Sequence, residues 1–299
     1  MLGFSFIVLA CALWAVDTLI RYPLAGQMSA SSIVFYEHLL LSVIFSVVFF
    51  KAFSAFKHIK FNHIISFVII GMLGSALATL AFTRAFMFLN PSIVIILQKF
   101  QPVIAVSLAA FVLKEKVNKY FMLWAFVSLV GAVLISYEDL LNIVNSESQL
   151  SELFFHDGAA LGYILVMFTI FGWGAATVFG KKLTLEGYSN EQIMAGRFLF
   201  GLLAMVPFYF IDNTFFTHNV EVYSKVSLMV LLSGLLAMYL YYMGLRRTSA
   251  RSATLAEMFF PFMAVIVNWL FLDARLTAIQ MFGGGILLLG SLVIQLKKY

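Results

Sequence analysis

Ten near-continuous apolar runs constrain this chain more than any other feature. They cover residues 3–21, 31–50, 64–86, 92–112, 119–137, 159–180, 191–210, 226–245, 252–271 and 277–296. Each approaches the roughly 20 residues that an α-helix needs to cross the hydrocarbon core, at about 1.5 Å per residue. The runs are continuous rather than alternating, which excludes membrane-spanning β-strands. In lipid every backbone polar group must be satisfied within the segment, so each run is expected to be helical. The connections are mostly short and leave no room for a soluble domain. A composition of 63% hydrophobic and 11% charged residues agrees. The expected fold class is an all-α integral membrane protein with ten transmembrane helices.

Several alternatives fall away at this level. Cys11 is the only cysteine, so neither an intrachain disulfide nor a cysteine metal site can form. A pI near 9.2 raises nucleic acid as a partner, but the basic residues gather at segment ends, which marks topology instead. The first run lacks the basic start of a signal peptide and reads as a membrane helix. Gly283–Gly285 lies inside an apolar run with no following Lys-Ser/Thr, so it reads as close packing rather than a phosphate loop.

The chain also repeats itself. At a constant offset of 159 residues, Trp14 falls on Trp173, Thr18 on Thr177, Ala78 on Ala237, Phe100 on Phe259 and Pro102 on Pro261. Gly131 falls on Gly290 and Leu113 on Leu272 at the same offset. The tryptophan and proline pairs carry the most weight, because the chain has only 4 Trp and 5 Pro. Residues 1–138 and 158–299 are expected as two five-helix repeats, joined by an extracytoplasmic acidic linker at 139–157. Five is an odd number, so the second copy enters the membrane from the opposite face, giving two inverted five-helix repeats. Charge counting agrees. With the N-terminus inside, 13 Lys and Arg sit at inner ends, and only Arg21, Arg84, Lys225 and Arg275 sit outside. Both termini are therefore expected in the cytoplasm, with the chain in the cell (inner) membrane.

The order of these features resembles the EamA-like branch of the drug/metabolite transporter superfamily over nearly the whole chain. The likeness rests on Trp14 and Trp173 in the first helix of each half and on Arg197 early in the second half's next helix. It extends to the proline helices and to the end Lys114-Glu115-Lys116-Val117. Two positions depart from that pattern: His38 stands where the other half has Arg197, and Leu272-Asp273-Ala274-Arg275 shifts the acid by one. The resemblance implies ten helices, alternating access and a central cavity. It also implies transport of amino acids, other metabolites or drugs.

Helix rise sets the expected depth of each candidate residue. Trp14, Pro102 and Pro261 fall near the midplane. Asp17, Glu37, His38, Arg84, Gln98 and Lys99 fall in the outer half, and Arg197 and Glu257 in the inner half. Proline removes a backbone donor and loosens its helix there. Ionisable groups inside a membrane are costly and mark functional paths, or else pin helices together. Lys99 can also reach towards the interface, and Trp14, Trp173, Tyr241 and the tyrosines beside it can serve packing. As cavity walls, the aromatics suit an apolar or aromatic solute, or a cation held over a ring. Asp17, Glu37 and His38 are the candidates for proton coupling. Arg197 and Glu257 are expected to pair as an inner gate. The leading reading is a secondary transporter of a small metabolite, with an uncoupled facilitative exchanger as its alternative. A membrane-embedded enzyme is the distant one, because no His-Glu-x-x-His, Gly-x-Ser-Gly or cysteine/histidine metal spacing occurs. No catalytic residue, cofactor or metal is expected.

Overall fold

A computed structural model describes residues 2–52, 59–114, 120–135, 137, 158–211, 219–248, 253, 256–257 and 259–296. The acidic stretch 139–157 lies outside these residues. So do Lys57, the end Glu115-Lys116-Val117, Lys119, Arg251, Lys297 and Lys298. Among the described residues all regular structure is helical. We number the helices α1 (Leu2–Ala25), α2 (Ala30–Val47), α3 (Phe61–Ala85), α4 (Pro91–Val112), α5 (Phe121–Ile135) and α6 (Ala159–Leu185). They continue with α7 (Asn190–Ile211), α8 (Val220–Arg247), α9 (Phe259–Leu272) and α10 (Ala278–Leu296). The seven helices α1 to α4 and α6 to α8 are long and apolar enough to cross a membrane. The shorter apolar stretches are Phe121–Ile135, Met263–Leu272 and Ala278–Gly290.

The helix starts are written locally. Ser29 accepts the Ser32 N–H at 3.1 Å, and Asn219 accepts that of Val222 at 3.0 Å. Asn90 accepts the Ser92 N–H at 2.8 Å, with Pro91 fixing φ in the first turn. Two capping boxes open α7 and α10. In the first, Ser189 N–H donates to Gln192 Oε1 at 2.8 Å and Gln192 N–H returns to Ser189 Oγ at 3.2 Å. Thr277 and Gln280 exchange the same two bonds at 3.0 and 3.4 Å. At the end of α8, Lys181 Nζ donates to the Leu245 and Thr248 carbonyls at 3.1 and 2.7 Å, satisfying acceptors that a helix end leaves open.

Three helices change pitch in mid-course. The interior of α3 (Ile69–Leu77) and that of α8 (Val230–Ala237) are wider π-helix. In α4 a tight 3₁₀ turn occupies Gln98–Phe100, one turn before Pro102. Pro102 has no N–H to return to the Gln98 carbonyl, and the Gln101 N–H takes that acceptor through the 3₁₀ turn instead. The loosening expected at Pro102 is thus a local tightening that leaves this carbonyl satisfied. Pro261 lies in the first turn of α9.

Helix α1 packs against α8 and α9, and α6 packs against α3 and α4. Helices α2 and α7 pack on each other, and so do α5 and α10. The α5–α10 contact is backbone on backbone. A Cβ on Gly131 would stand 2.4 Å from Leu287 N, one on Gly283 2.8 Å from Ile135 N, and one on Gly290 2.4 Å from Ser128 Oγ. Large side chains such as Phe111, Phe126, Phe210, Trp269, Phe271 and Phe282 point outward and are exposed. That outward-facing apolar surface suits lipid. Lys114 (φ 55°) and Asp273 (φ 50°), one at the end of each proline helix, share the left-handed conformation and lie 159 residues apart.

Candidate functional site

A cavity of about 160 Å³ lies inside the helix bundle, with walls drawn from α1 to α4, α6 to α8, the segment entering α9 and the first turn of α9. Its aromatic lining is Trp14, Phe82, Trp173, Phe198, Tyr241 and Phe260. Trp14 packs on Tyr241 with ring centres 5.5 Å apart and planes at 49°. Trp173 packs on Phe82 at 5.0 Å and 53°. Ser75 and Ser233, from the two π-helical segments, also face the cavity, and each anchors a polar cluster.

The first cluster is built around Arg21. Its Nε donates to Asp17 Oδ2 at 2.7 Å, and its Nη2 donates to Asp17 Oδ1 and to both Glu37 oxygens at 3.2 Å. Its Nη1 donates to Thr83 Oγ1 at 3.1 Å. Ser233 Oγ donates to Asp17 Oδ1 at 2.6 Å, and Trp14 Nε1 donates to the Ser233 carbonyl at 3.3 Å. Asp17, Arg21 and Glu37 are 7, 3 and 8% exposed, so this is a buried network. Two carboxyl groups share one guanidinium, and four helices (α1, α2, α3 and α8) are tied through it.

The second cluster is built around Arg197 and Ser75. Arg197 Nε donates to Ser75 Oγ at 3.2 Å, Nη1 to Tyr242 OH at 3.4 Å and Nη2 to the Gly74 carbonyl at 3.3 Å. His38 Nδ1 stands 2.8 Å from the Val34 carbonyl, and Nε2 stands 3.0 Å from Ser75 Oγ. A carbonyl can only accept, so Nδ1 carries a proton, and in a neutral ring Nε2 accepts from the serine hydroxyl. Ser75 then relays one chain of bonds from Arg197 to His38.

The third group joins the two proline helices. Lys99 Nζ donates to the Glu257 carbonyl at 3.0 Å and lies 5.3 Å from the centre of the Phe260 ring. Gln101 Nε2 reaches Glu257 Oε2 at 3.4 Å. Tyr241 stands beside the Glu257 carboxyl group, but its hydroxyl donates to Thr177 Oγ1 at 3.3 Å. Glu257 Oε1 and Gln98 Nε2 are buried with no hydrogen-bond partner among the described residues.

Nine of the eleven side chains singled out in the sequence line this one cavity: Trp14, Asp17, Glu37, Gln98, Lys99, Trp173, Arg197, Tyr241 and Glu257. Two do not. His38 is buried behind Ser75, apart from the Asp17–Glu37 cluster with which it was grouped. Arg84 is exposed on the last turn of α3. The expected pairing of Arg197 with Glu257 is absent here, where each is bonded to other groups. Arg21, counted in the sequence as an outer-end topology charge, is instead the hub of the buried network. The i, i+4 spacing of Asp17 and Arg21 was the visible signal for it. Ser75, Ser233, Gln101 and Phe82 were also missed as lining residues, since short polar and apolar side chains carry no mark of which cavity they will face.

A bundle of long apolar helices around a polar, aromatic-lined cavity defines a multi-pass membrane protein. The sequence profile of the EamA-like transporter family matches residues 1–137 and 160–296. The chain belongs to the EamA-like transporter family and is a membrane transporter. It is 28% identical to the "Riboflavin transporter ImpX" of Fusobacterium nucleatum, across 97% of this chain and 96% of that protein. It is 24% identical to the "Uncharacterized transporter YoaV" of Bacillus subtilis, across 73% of this chain and 71% of that one. A solved crystal structure at 14% identity shares the fold, with a TM-score of 0.60 over 99% of this chain and 96% of its own.

Proposed function

We propose that the chain is a secondary transporter of ten membrane-crossing helices, arranged as two inverted five-helix repeats. It moves a small metabolite by alternating access through the central cavity. The observation that carries this reading is the exchange of partners between the halves. Trp14 and Tyr241 map onto Trp173 and Phe82 at the 159-residue offset, and the two pairs have nearly the same geometry. Each half thus supplies the tryptophan of one pair and the second ring of the other, as a two-fold relation between the repeats requires. The helix neighbours follow the same rule: α1 with α8 mirrors α6 with α3, and α1 with α9 mirrors α6 with α4. The positive charge bias supports both termini in the cytoplasm of a cell (inner) membrane, with 139–157 as the extracytoplasmic linker. The solute enters no covalent chemistry, and the protein is not an enzyme.

The walls support one substrate class. Aromatic side chains from both halves, interspersed with amide, hydroxyl and charged groups, suit a flat heteroaromatic metabolite with polar edges. Riboflavin is the first candidate, supported by the relative that matches over nearly its whole length. The test is uptake of radiolabelled riboflavin by proteoliposomes containing the purified chain. Saturable uptake, lost in Trp14→Ala with Trp173→Ala and competed by unlabelled riboflavin, is the expected result. Uptake no greater than in protein-free vesicles, under either gradient orientation, would remove riboflavin.

A further inference from the structure

The two orphaned polar atoms of the cavity are related to each other. Gln98 Nε2, a donor, and Glu257 Oε1, an acceptor, are both buried without a hydrogen-bond partner among the described residues. Both residues line the cavity. They occupy equivalent positions, 159 residues apart, one turn before Pro102 and Pro261. The 3₁₀ turn at Gln98–Phe100 sets the first of them, and Gln98 is only 2% exposed. A buried donor or acceptor left open costs free energy, and such groups in native proteins are nearly always matched. Around Glu257 the neighbouring polar groups are otherwise engaged. Gln101 serves Glu257 Oε2, Tyr241 serves Thr177, and Lys99 reaches the Glu257 main chain.

We propose that Gln98 and Glu257 are the specificity-determining pair of the cavity, reading a ring edge that carries both a carbonyl and an N–H. Gln98 Nε2 donates to the ring carbonyl, and Glu257 Oε1 accepts from the ring N–H. The substrate class is the flat lactam or imide heterocycle, of which the flavin and pteridine rings are members. Simple hydrocarbons fill the aromatic walls but leave both atoms open, and aromatic amines without a carbonyl leave Gln98 Nε2 open. This inference rests on the reading above that the cavity holds the transported solute.

The experiment is equilibrium dialysis of the purified full chain in detergent against four compounds: riboflavin, N3-methylriboflavin, lumazine and an N-methylated lumazine lacking the imide proton. Methylation removes the donor, keeps the carbonyls and leaves the ring flat. In the unaltered chain, loss of the N–H is expected to weaken binding by about tenfold or more, since it strands Glu257 Oε1. In Glu257→Met, which nearly conserves volume, the parent and methylated compounds should bind within about threefold of each other. A merely steric objection to the methyl group would persist in that variant. Gln98→Met should weaken parent and methylated compounds by the same factor. Should Glu257→Met fail to fold, Glu257→Leu takes its place, so that a steric effect of the methyl group is still told apart from a lost hydrogen bond. A ratio near one overturns the inference and leaves riboflavin transport standing. Failure of all four compounds to bind overturns it as well, while uptake of another solute would preserve the transporter reading. Discrimination on lumazine without riboflavin binding upholds the pair and removes riboflavin.

Discussion

Replacing Arg21 by methionine tests the buried network most directly. The guanidinium is the only cation hydrogen-bonded to Asp17 and Glu37 among the described residues, through bonds of 2.7 and 3.2 Å. Both carboxyl groups are less than one-tenth exposed. Removing one member of a buried ion pair costs about 3–5 kcal/mol, because the partner charge stays in a low-dielectric interior. At about 2 °C per kcal/mol for a chain of this size, Arg21→Met should lower the melting temperature by about 6–10 °C. The triple variant Arg21→Met, Asp17→Asn, Glu37→Gln removes all three ionisable groups and should recover more than half of that loss. Thermal unfolding of the purified protein in one detergent, followed by tryptophan fluorescence, gives both numbers. A shift below about 2 °C for the single variant would mean that water already solvates these charges. A triple variant no more stable than the single one would mean that the guanidinium acts by packing.

Four further outcomes are expected. Gly131→Val should abolish expression or lower the melting temperature sharply, because its Cβ would meet Leu287 N at 2.4 Å. Gly285→Ala, with nothing within 4 Å of the new Cβ, should be neutral or slightly stabilising, and a large loss there would show that another surface covers it. Arg197→Gln and Glu257→Gln, measured without ligand, should lower stability additively to within about 0.5 kcal/mol, since their hydrogen-bond partners are separate. Strong non-additivity would restore the direct pairing expected from the sequence. In a Cys11→Ser background, Ser148→Cys should react with an impermeant thiol reagent added from outside. Labelling only from inside would reverse the proposed orientation.

The helical, membrane-spanning character of this protein was decided by the sequence alone, because the bilayer acts on each segment separately. A run of about 20 apolar residues must satisfy its own backbone, whatever its neighbours are. The matches at a 159-residue offset belong to the sequence as well, since Trp14, Pro102 and their partners are rare residue types at one constant spacing. The candidate charges were found for a related reason: an ionisable side chain in lipid needs a protein partner wherever that partner lies. Which partner it takes is another matter. Arg21 looked like a helix-end charge until α2, α3 and α8 closed around it, and Arg197 turned to Ser75 and Tyr242 rather than Glu257. Hydrogen-bond partners here lie up to 250 residues apart, as for Thr18 and Asn268, and are chosen by helix rotation over distances of an ångström. Apolar patterning does not encode that rotation, because in lipid every face of such a helix is apolar. Close approaches at Gly74, Gly131 and Gly290 set it, and they exist only once the helices have packed.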